Sequence, residues 1–436
     1  MKTIAVLGTG YVGLVTATCL ADFGHHVIGL DINPDKIALL KTGKSPIFEP
    51  GLEALIVKNL EAKRLRFSTD LASELPNADI VFTAVGTPPN PDGSANLTYL
   101  FQAVDTIATA IKTKSTRTIV VNKSTVPVGT CKRIQTQLLN AGVPQTHFAV
   151  ISNPEFLREG CALDDFFEPD RVVLGGTSDE ALAEIEALYK PLDHHDVPIL
   201  KTSLESAELI KYAANAFLAT KISFINDMAR LSEAVGANVH DISKGMGLDH
   251  RIGKFFLNPG PGYGGSCFPK DTQALLQVGQ AHGVDLKIVS AAQTVNDEQK
   301  QWVLNKITTI LGSVSGKTIG ILGLAFKANT DDIRESSALT IVEGLLKLGA
   351  TIQCYDPEAM PHFKALYPTL TYTQNPYEAL QNADLFVLLT DWNEFKELDF
   401  DLIKTTQNSP IVFDTRNIYK RSVLTQKGFT YYGVGQ

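Results

Sequence analysis

Short unbroken apolar stretches alternate along the chain with segments whose apolar residues recur at helical spacing. Residues 3 to 8 (TIAVLG) are an apolar, β-branched run closed by glycine, the pattern of a buried parallel strand entering a tight turn. Residues 10 to 24 carry helical periodicity, and 26 to 31 (HVIGLD) form a second strand that ends in Asp31. Further strands are predicted at 79 to 85 (DIVFTAV), 118 to 122 (TIVVN) and 148 to 152 (FAVIS), with helical stretches between them. This alternation predicts a doubly wound α/β domain over residues 1 to 200.

Pro198 closes that region, and Thr202 with Glu205 three residues on has the spacing of a capping box. A helix starting there and running to Gly236 would be roughly 50 Å long, more than one domain needs, which makes it a candidate spine between domains. GSVSG at 312 to 316 reads as a linker, after which the α/β pattern resumes. Strands are predicted at 317 to 322, 351 to 356, 384 to 390 and 410 to 414, with a helix near 336 to 348. The expected plan is two Rossmann-like parallel-sheet domains joined by a long central helix: 1–200, a central segment 201–311, and 312–436. Each sheet implies one nucleotide-sized crevice.

Composition narrows what the crevices hold. The chain has 436 residues, 44% of them apolar, which is enough for two or three cores. A formal charge of -8, with lysine and arginine dispersed, argues against a nucleic-acid surface. The opening MKTIAVLGTGYVG is too short and glycine-rich for a signal h-region or a membrane span, and no later run reaches spanning length. A cytoplasmic protein is expected. Its five cysteines (Cys19, Cys131, Cys161, Cys267, Cys354) are odd in number and widely spaced, so neither a disulfide framework nor a metal site is expected.

Gly8, Gly10 and Gly13 form a G-x-G-x-x-G turn between a predicted strand and helix, where backbone approaches a pyrophosphate at the helix's positive end. Asp31 ends the next strand 18 residues after Gly13, placed to bind ribose hydroxyls and to repel a 2′-phosphate, which favours NAD over NADP. The turn in the second half, GILGLAFK at 320 to 327, has Ala325 in place of a glycine and Lys327 close behind, suiting a different phosphate-bearing ligand. Arg334, at what reads as the next helix start, is a candidate for an anion contact.

The segment 258 to 271 (NPGPGYGGSCFPKD) is the most informative. Its glycines and prolines leave backbone amides free for a ligand, and Cys267 precedes a helical stretch whose dipole favours thiolate. Asp271, four residues on, is a candidate base or water-orienting group, with Lys270 alongside. A buried structural cysteine is the competing explanation. Lys211 and Asn215 share one face of the spine helix, suited to a developing oxyanion or to a plain i,i+4 pair. In SNPEFLRE (152 to 159), Glu155 stands at a strand end as a candidate proton handler, while Glu159 reads as a capping or surface residue. In NKSTVPVGT (122 to 130), Ser124 and Thr125 offer hydroxyls to the same crevice. His25, His26, His194 and His195 receive no role.

These motifs, GTGYVG, VGTPP, STVPVGT, NPEFLREG, KYAANAFLATKISFIN, GYGGSCFPKD, GLAFKANTDDIRESSA and FDTRN, run nearly end to end. On them the chain resembles the UDP-glucose/GDP-mannose dehydrogenase family. The resemblance implies a four-electron oxidation of the C6 alcohol of UDP-glucose to UDP-glucuronate with two NAD, through a thiohemiacetal and a thioester on Cys267. It implies oxyanion stabilisation by Lys211 and Asn215, water activation by Asp271, and an ordered water held by Thr125 and Glu155. NAD contacts are implied at Gly8, Gly10, Tyr11, Val12, Gly13, Asp31, Lys36, Thr87, Ser124, Thr125, Glu159 and Arg334. Substrate contacts are implied at Glu155, Phe156, Leu157, Lys211, Asn215, Phe256, Asn258, Gly262, Tyr263, Gly264, Lys327 and Arg416. Arg251 matches a position that serves a neighbouring subunit, so the resemblance also implies a homodimer or dimer-based oligomer built around the spine helix. GDP-mannose and N-acetylated UDP-sugar relatives share the plan; serine before Cys267 resembles the UDP-glucose branch. A 3-hydroxyacid dehydrogenase, which also uses a lysine and an asparagine on the helix after a Rossmann domain, needs no such cysteine.

Overall fold

A computed structural model describes residues 1–436, apart from the side chains of 193–195, so His194 and His195 lie outside the described residues. The chain divides into two compact units, Met1–Ala214 with Gln273–Gly283, and Asn215–Thr272 with Val284–Gln436.

The first unit holds an eight-stranded sheet: β1 (Thr3–Leu7), β2 (His26–Leu30), β3 (Leu65–Ser68), β4 (Ile80–Thr83), β5 (Thr118–Asn122), β6 (Phe148–Ser152), β7 (Val172–Gly175) and β8 (Ile199–Thr202). Their order is β3-β2-β1-β4-β5-β6-β7-β8. The first six are mutually parallel in the Rossmann order, with a topological switch point between β1 and β4. β7 turns antiparallel to β6 and carries β8 with it, so the sheet is mixed at this edge rather than wholly parallel. The central strands are apolar on both faces, because helices cover both.

The second unit holds six parallel strands: β9 (Thr318–Leu322), β10 (Thr351–Tyr355), β11 (Thr371–Tyr372), β12 (Leu385–Leu388), β13 (Ile411–Asp414) and β14 (Thr430–Gly433). Their order, β11-β10-β9-β12-β13-β14, repeats the switch point between β9 and β12. The strands expected from periodicity are all present, trimmed by one or two residues at some ends. The additional ones, β3, β7, β8, β11 and β14, are short and lie toward the sheet edges. Residues 312–316 join helix Lys287–Leu311 to β9 within the second unit.

The spine helix is Leu204–Val235, ended by Gly236 at φ 73°. Its cap is not Thr202. That residue is claimed by β8, and Ser203 precedes the helix, its hydroxyl accepting the Ser206 N–H at 3.1 Å. Glu205 pairs instead with Lys132.

The second sheet repeats the strand-turn-helix device of the first, down to the aspartate after its second strand. Asp356 is fully buried. One of its oxygens accepts the N–H groups of Leu324 (2.7 Å) and Ala325 (3.0 Å) and the Trp392 indole (3.1 Å). The other accepts from Glu358 (3.0 Å) and Ala359 (2.8 Å). Asp356 is therefore consumed in holding the turn. Replacing Asp356→Ala orphans five donors, and a loss of about 3 kcal/mol or more is expected as a lower urea midpoint at unchanged m-value.

Candidate active site

The glycine turn of the first unit is built by close packing. Gly8 has φ 91°, and a Cβ on Gly13 would lie 1.9 Å from the Gly8 carbonyl oxygen, so neither position admits a side chain. At Gly10 a Cβ would meet nothing within 4 Å, and helix Tyr11–Asp22 begins there without a side-chain cap. Its first amides therefore face open space at the positive end of the helix, a fit for a pyrophosphate. Asp31 accepts the Thr9 N–H (2.9 Å), the Thr9 hydroxyl (2.8 Å) and the Asn33 N–H (3.0 Å), with Lys36 Nζ at 3.2 Å. Burial pushes its carboxyl upward, but the bonds from Thr9 and Asn33 and the Lys36 charge outweigh it and hold the group below its ordinary range. Unlike Asp356, Asp31 stays partly exposed, so a carboxylate edge is left for a ribose.

Tyr11 and Val12 are half-buried in the first turn of that helix. The Tyr11 hydroxyl bonds to Glu49, which also accepts the N–H groups of Gly160 and Ala162, each at 2.7 Å. Glu49 thus ties the cofactor helix to the segment that carries the half-buried Glu159. Thr87 donates to the Thr125 carbonyl at 2.9 Å, and Ser124 donates to the Val85 carbonyl at 2.8 Å. The Thr125 side chain is half-buried.

After β6 the chain places Glu155 in the interior, and Lys211 of the spine helix pairs with it at 3.0 Å. Both are nearly inaccessible, at 5% and 3% exposure, so each ion requires the other. The Leu157 N–H donates to Glu155 at 2.6 Å. Two cations lie near the Phe156 ring, Arg171 at 3.6 Å and Lys211 at 5.3 Å from its centroid. Lys123, which sequence reasoning missed, is buried close enough to Glu155 and Lys211 to feel both charges. Burial pushes its ammonium down to about 8.

In the second unit, helix Phe268–Ala281 begins directly after Cys267, whose carbonyl accepts the Asp271 N–H at 2.8 Å. Cys267 is therefore the N-cap residue, and Pro269 falls in the first turn, where no N–H is needed. The thiol is half-exposed, with the Ser266 hydroxyl 3.6 Å from Sγ. Asp271 is buried; Asn215 Nδ2 donates to one oxygen at 2.7 Å and Lys270 pairs with the other. The two residues four apart on the spine helix are thus each committed to a carboxylate, Lys211 to Glu155 and Asn215 to Asp271.

The glycine loop is gripped by buried carboxamides that the sequence did not single out. Asn226 accepts the Gly260 N–H (2.9 Å), and Gln299 donates to the Gly260 carbonyl (2.8 Å). Asn296 bonds both the N–H (2.7 Å) and the carbonyl (3.1 Å) of Tyr263. Nothing in their local pattern separates them from a solvated helix face. A Cβ on Gly264 would meet the Glu335 carbonyl oxygen at 2.3 Å, and Gly262 has φ 103°, so this loop has one shape. Phe256 adopts φ 61°, a strained value for an aromatic residue, and stacks near Phe268 at 6.2 Å. Asn258 is exposed. Arg416 donates to the carbonyls of Leu389 (2.7 Å) and Phe326 (2.9 Å) and lies against Gly260, which brings it to the loop. Lys327 is half-buried over the Phe326 ring. Arg334 is exposed and forks onto Asp332 in its own turn, and Arg251 is exposed and forks onto Asp249. Among the described residues no cluster of histidine, cysteine and carboxylate side chains is arranged to hold a metal.

A Rossmann cofactor turn with an aspartate after its second strand, together with a cysteine at a helix start, defines the protein as a dinucleotide-dependent oxidoreductase. The chain belongs to the UDP-glucose/GDP-mannose dehydrogenase family, matching its NAD binding domain over residues 2–193, its central domain over 205–298 and its UDP binding domain over 320–421. It is 46% identical to UDP-glucose 6-dehydrogenase of Bacillus subtilis, covering 100% of this chain and 94% of that one. It is also 46% identical to UDP-glucose 6-dehydrogenase of Rhizobium meliloti, covering 99% of each. A solved UDP-glucose dehydrogenase from Pyrobaculum islandicum superposes with a TM-score of 0.92 at 38% identity, over 100% of this chain and 98% of that one. NAD is the cofactor of the family's first domain.

Asp31→Asn keeps an acceptor for Thr9 and removes the charge. Preference for NAD over NADP is expected to fall by about tenfold or more, measured as the ratio of kcat/KM for the two cofactors. An unchanged ratio would remove Asp31 from cofactor discrimination.

Proposed function

We propose that the protein oxidises UDP-glucose at C6 to UDP-glucuronate. The observation that carries this reading is Cys267 at the start of helix Phe268–Ala281, beside a rigid glycine loop and Asp271, in a chain 46% identical along its whole length to UDP-glucose 6-dehydrogenases. On this reading residues 1–200 serve the cofactor, 201–311 the chemistry and 312–436 the nucleotide of the sugar, a division that the matched family segments support.

The Gly8–Gly13 turn and Asp31 would hold NAD, which would supply the hydride acceptor for both oxidations. Glu155 and Thr125 hold a water that takes the C6 hydroxyl proton as the alcohol becomes an aldehyde. The aldehyde carbon has no hydroxyl, so Cys267 adds to it, its sulfur forming the C–S bond while the carbonyl oxygen takes up a proton to give a thiohemiacetal. Lys211 and Asn215 stabilise the charge on that oxygen as it develops. Oxidation of the thiohemiacetal leaves a thioester. A water positioned by Asp271 then attacks, the C–S bond breaks, and the carboxylate leaves with the thiol restored. Four electrons depart in two pairs, and one water is consumed. The amides of Asn226, Asn296 and Gln299 hold the 258–264 loop, with Lys327 and Arg416, against the UDP portion. Glu159, Thr87, Ser124 and Arg334 belong to the cofactor side of this reading, and Phe156, Leu157 and Phe256 to the sugar side.

A second copy of the chain is part of the proposal. Phe217, Phe224 and Leu231, seven residues apart on the spine helix, are 66%, 45% and 53% exposed, an apolar seam suited to a twofold partner. Arg251 then serves the neighbouring subunit. A cytoplasmic setting keeps Cys267 reduced. Among the described residues no helix is long and apolar enough to cross a membrane.

Counting NADH per UDP-glucose tests the reaction. Two are expected, and one would sink it. Cys267→Ser is expected to abolish steady-state acid formation while calorimetric NAD and UDP-glucose binding persist; lost binding would make the cysteine structural. Phe224→Asp is expected to shift the sedimentation equilibrium toward monomer, and an unaltered mass would take the seam out of the interface.

A further inference from the structure

Lys123 stands directly after β5, and at 5% exposure it is one of the most enclosed cations described. Among the described residues its hydrogen-bond partner is a neutral amide rather than a carboxylate. Its ammonium donates to Asn153 Oδ1 at 3.2 Å, and that same oxygen accepts the Tyr189 hydroxyl at 2.6 Å. Asn153 is fixed in turn, its amide donating to the Val173 carbonyl at 3.0 Å. A buried ammonium held by a neutral, shared acceptor is costly, so its retention calls for a reason beyond packing.

The reason lies in the surrounding charges. Glu155 comes from the segment after β6, Lys211 from the spine helix and Arg171 from the start of β7, with Asp170 3.9 Å behind Arg171. Tyr189 contributes only its hydroxyl. Both lysines feel the Glu155 charge: Lys211 pairs with it directly, and Lys123, after β5, is bonded to Asn153, two residues before Glu155 on the segment that leaves the neighbouring strand β6. We infer that Lys123 is a positioning residue, a buried cation that acts through Glu155 by keeping its carboxylate ionised so that it holds the proton-accepting water of the first oxidation.

The inference rests on the oxidation proposed above and deepens it. Burial alone pushes the Glu155 carboxyl up, and the charges of Lys211 and Lys123 with the bonds from Lys211 and Leu157 bring it below its ordinary range. Burial brings the Lys123 ammonium down to about 8, so the cation is present below that pH and absent above it. Removing the charge therefore matters most where Glu155 is nearest to protonation, and least where the wild type has itself lost the proton.

The test compares the full-length wild type with Lys123→Met and Lys123→Gln, the latter able to keep a bond to Asn153. kcat/KM is measured with NAD and UDP-glucose from pH 5.5 to 9.5. The ratio of wild type to each variant is expected to be roughly tenfold or more at the acid end and to shrink as pH rises past about 8. A uniform loss at every pH, or no loss, would overturn the inference, as would failure of both neutral variants to fold by circular dichroism. Stability gives a readout independent of turnover. Lys123 binds its proton less tightly in the folded chain than in the unfolded one, so the unfolded state carries more protons between about 8 and 10.5. Wild-type stability relative to Lys123→Met is therefore expected to rise across that window, and a flat difference would count against the inference. The NADH count on the wild type judges the reaction separately, because the pH trend can be read with whichever nucleotide sugar that enzyme turns over.

Discussion

Two buried carboxylates, Glu155 in the first unit and Asp271 in the second, each set the terms for the structure around them. An ionised carboxyl group removed from water costs several kcal/mol unless compensated, and the two are compensated in different ways. Glu155 receives the charge of Lys211 and a backbone N–H; Asp271 receives the Asn215 carboxamide and the neighbouring Lys270. Lys211 and Asn215 are one turn apart on the spine helix, so regular helix geometry fixes their spacing at about 6 Å along its axis. In the proposed reaction a charge partner suits Glu155, which has to stay ionised while a proton passes beside it. The Asn215 amide and the Lys270 charge together hold Asp271, while Cys267 stands at the start of its helix, where the dipole favours thiolate.

The two sheets use the same local device to different ends. In each, an aspartate after the second strand reaches back to the N–H groups of the glycine turn. Asp356 is closed off by Trp392 and by two amides of its own loop, whereas Asp31 keeps an open edge beside Lys36. The repeated pattern implied two crevices, and of the two aspartates Asp31 alone stays partly exposed. In the second the aspartate is structural, and Arg416 is seated on two backbone carbonyls and pressed against the glycine loop.

What the sequence made legible was chemistry confined to one segment. The glycine turn, Asp31, the cysteine loop and the Lys211–Asn215 spacing each depend on residues a few positions apart. Lys123 was not legible, although its motif was noted, because its meaning comes from β6 pairing beside β5 and carrying Glu155 to it. Asn226, Asn296 and Gln299 sit among polar residues at helical spacing and become clamps only once the loop packs on them. The misplaced cap has a similar origin. Thr202 and Glu205 satisfy a local capping rule, but pairing of β8 with β7 takes Thr202 into the sheet and moves the helix start by one residue. The reversal at β7 was hidden too, since a four-residue apolar strand carries no signal of direction.

The loop before Cys267 shows why these clamps matter to the chemistry. Gly262 and Gly265 occupy left-handed conformations, and Phe256 does so without a glycine's freedom, so the segment is not one the backbone would choose unaided. Its shape is held by amides at Gly260 and Tyr263, by the Glu335 backbone against Gly264, and by the Arg334 carbonyl accepting the Gly265 N–H at 2.8 Å. A loop fixed at so many points loses little conformational freedom on binding, which favours affinity for a phosphate-bearing ligand. It also delivers Cys267 to the helix start in one orientation. In the proposed reaction the thiol must add to a transient aldehyde before it diffuses away, and that step gains from such constancy, since effective concentration depends on how narrowly the attacking atom is held.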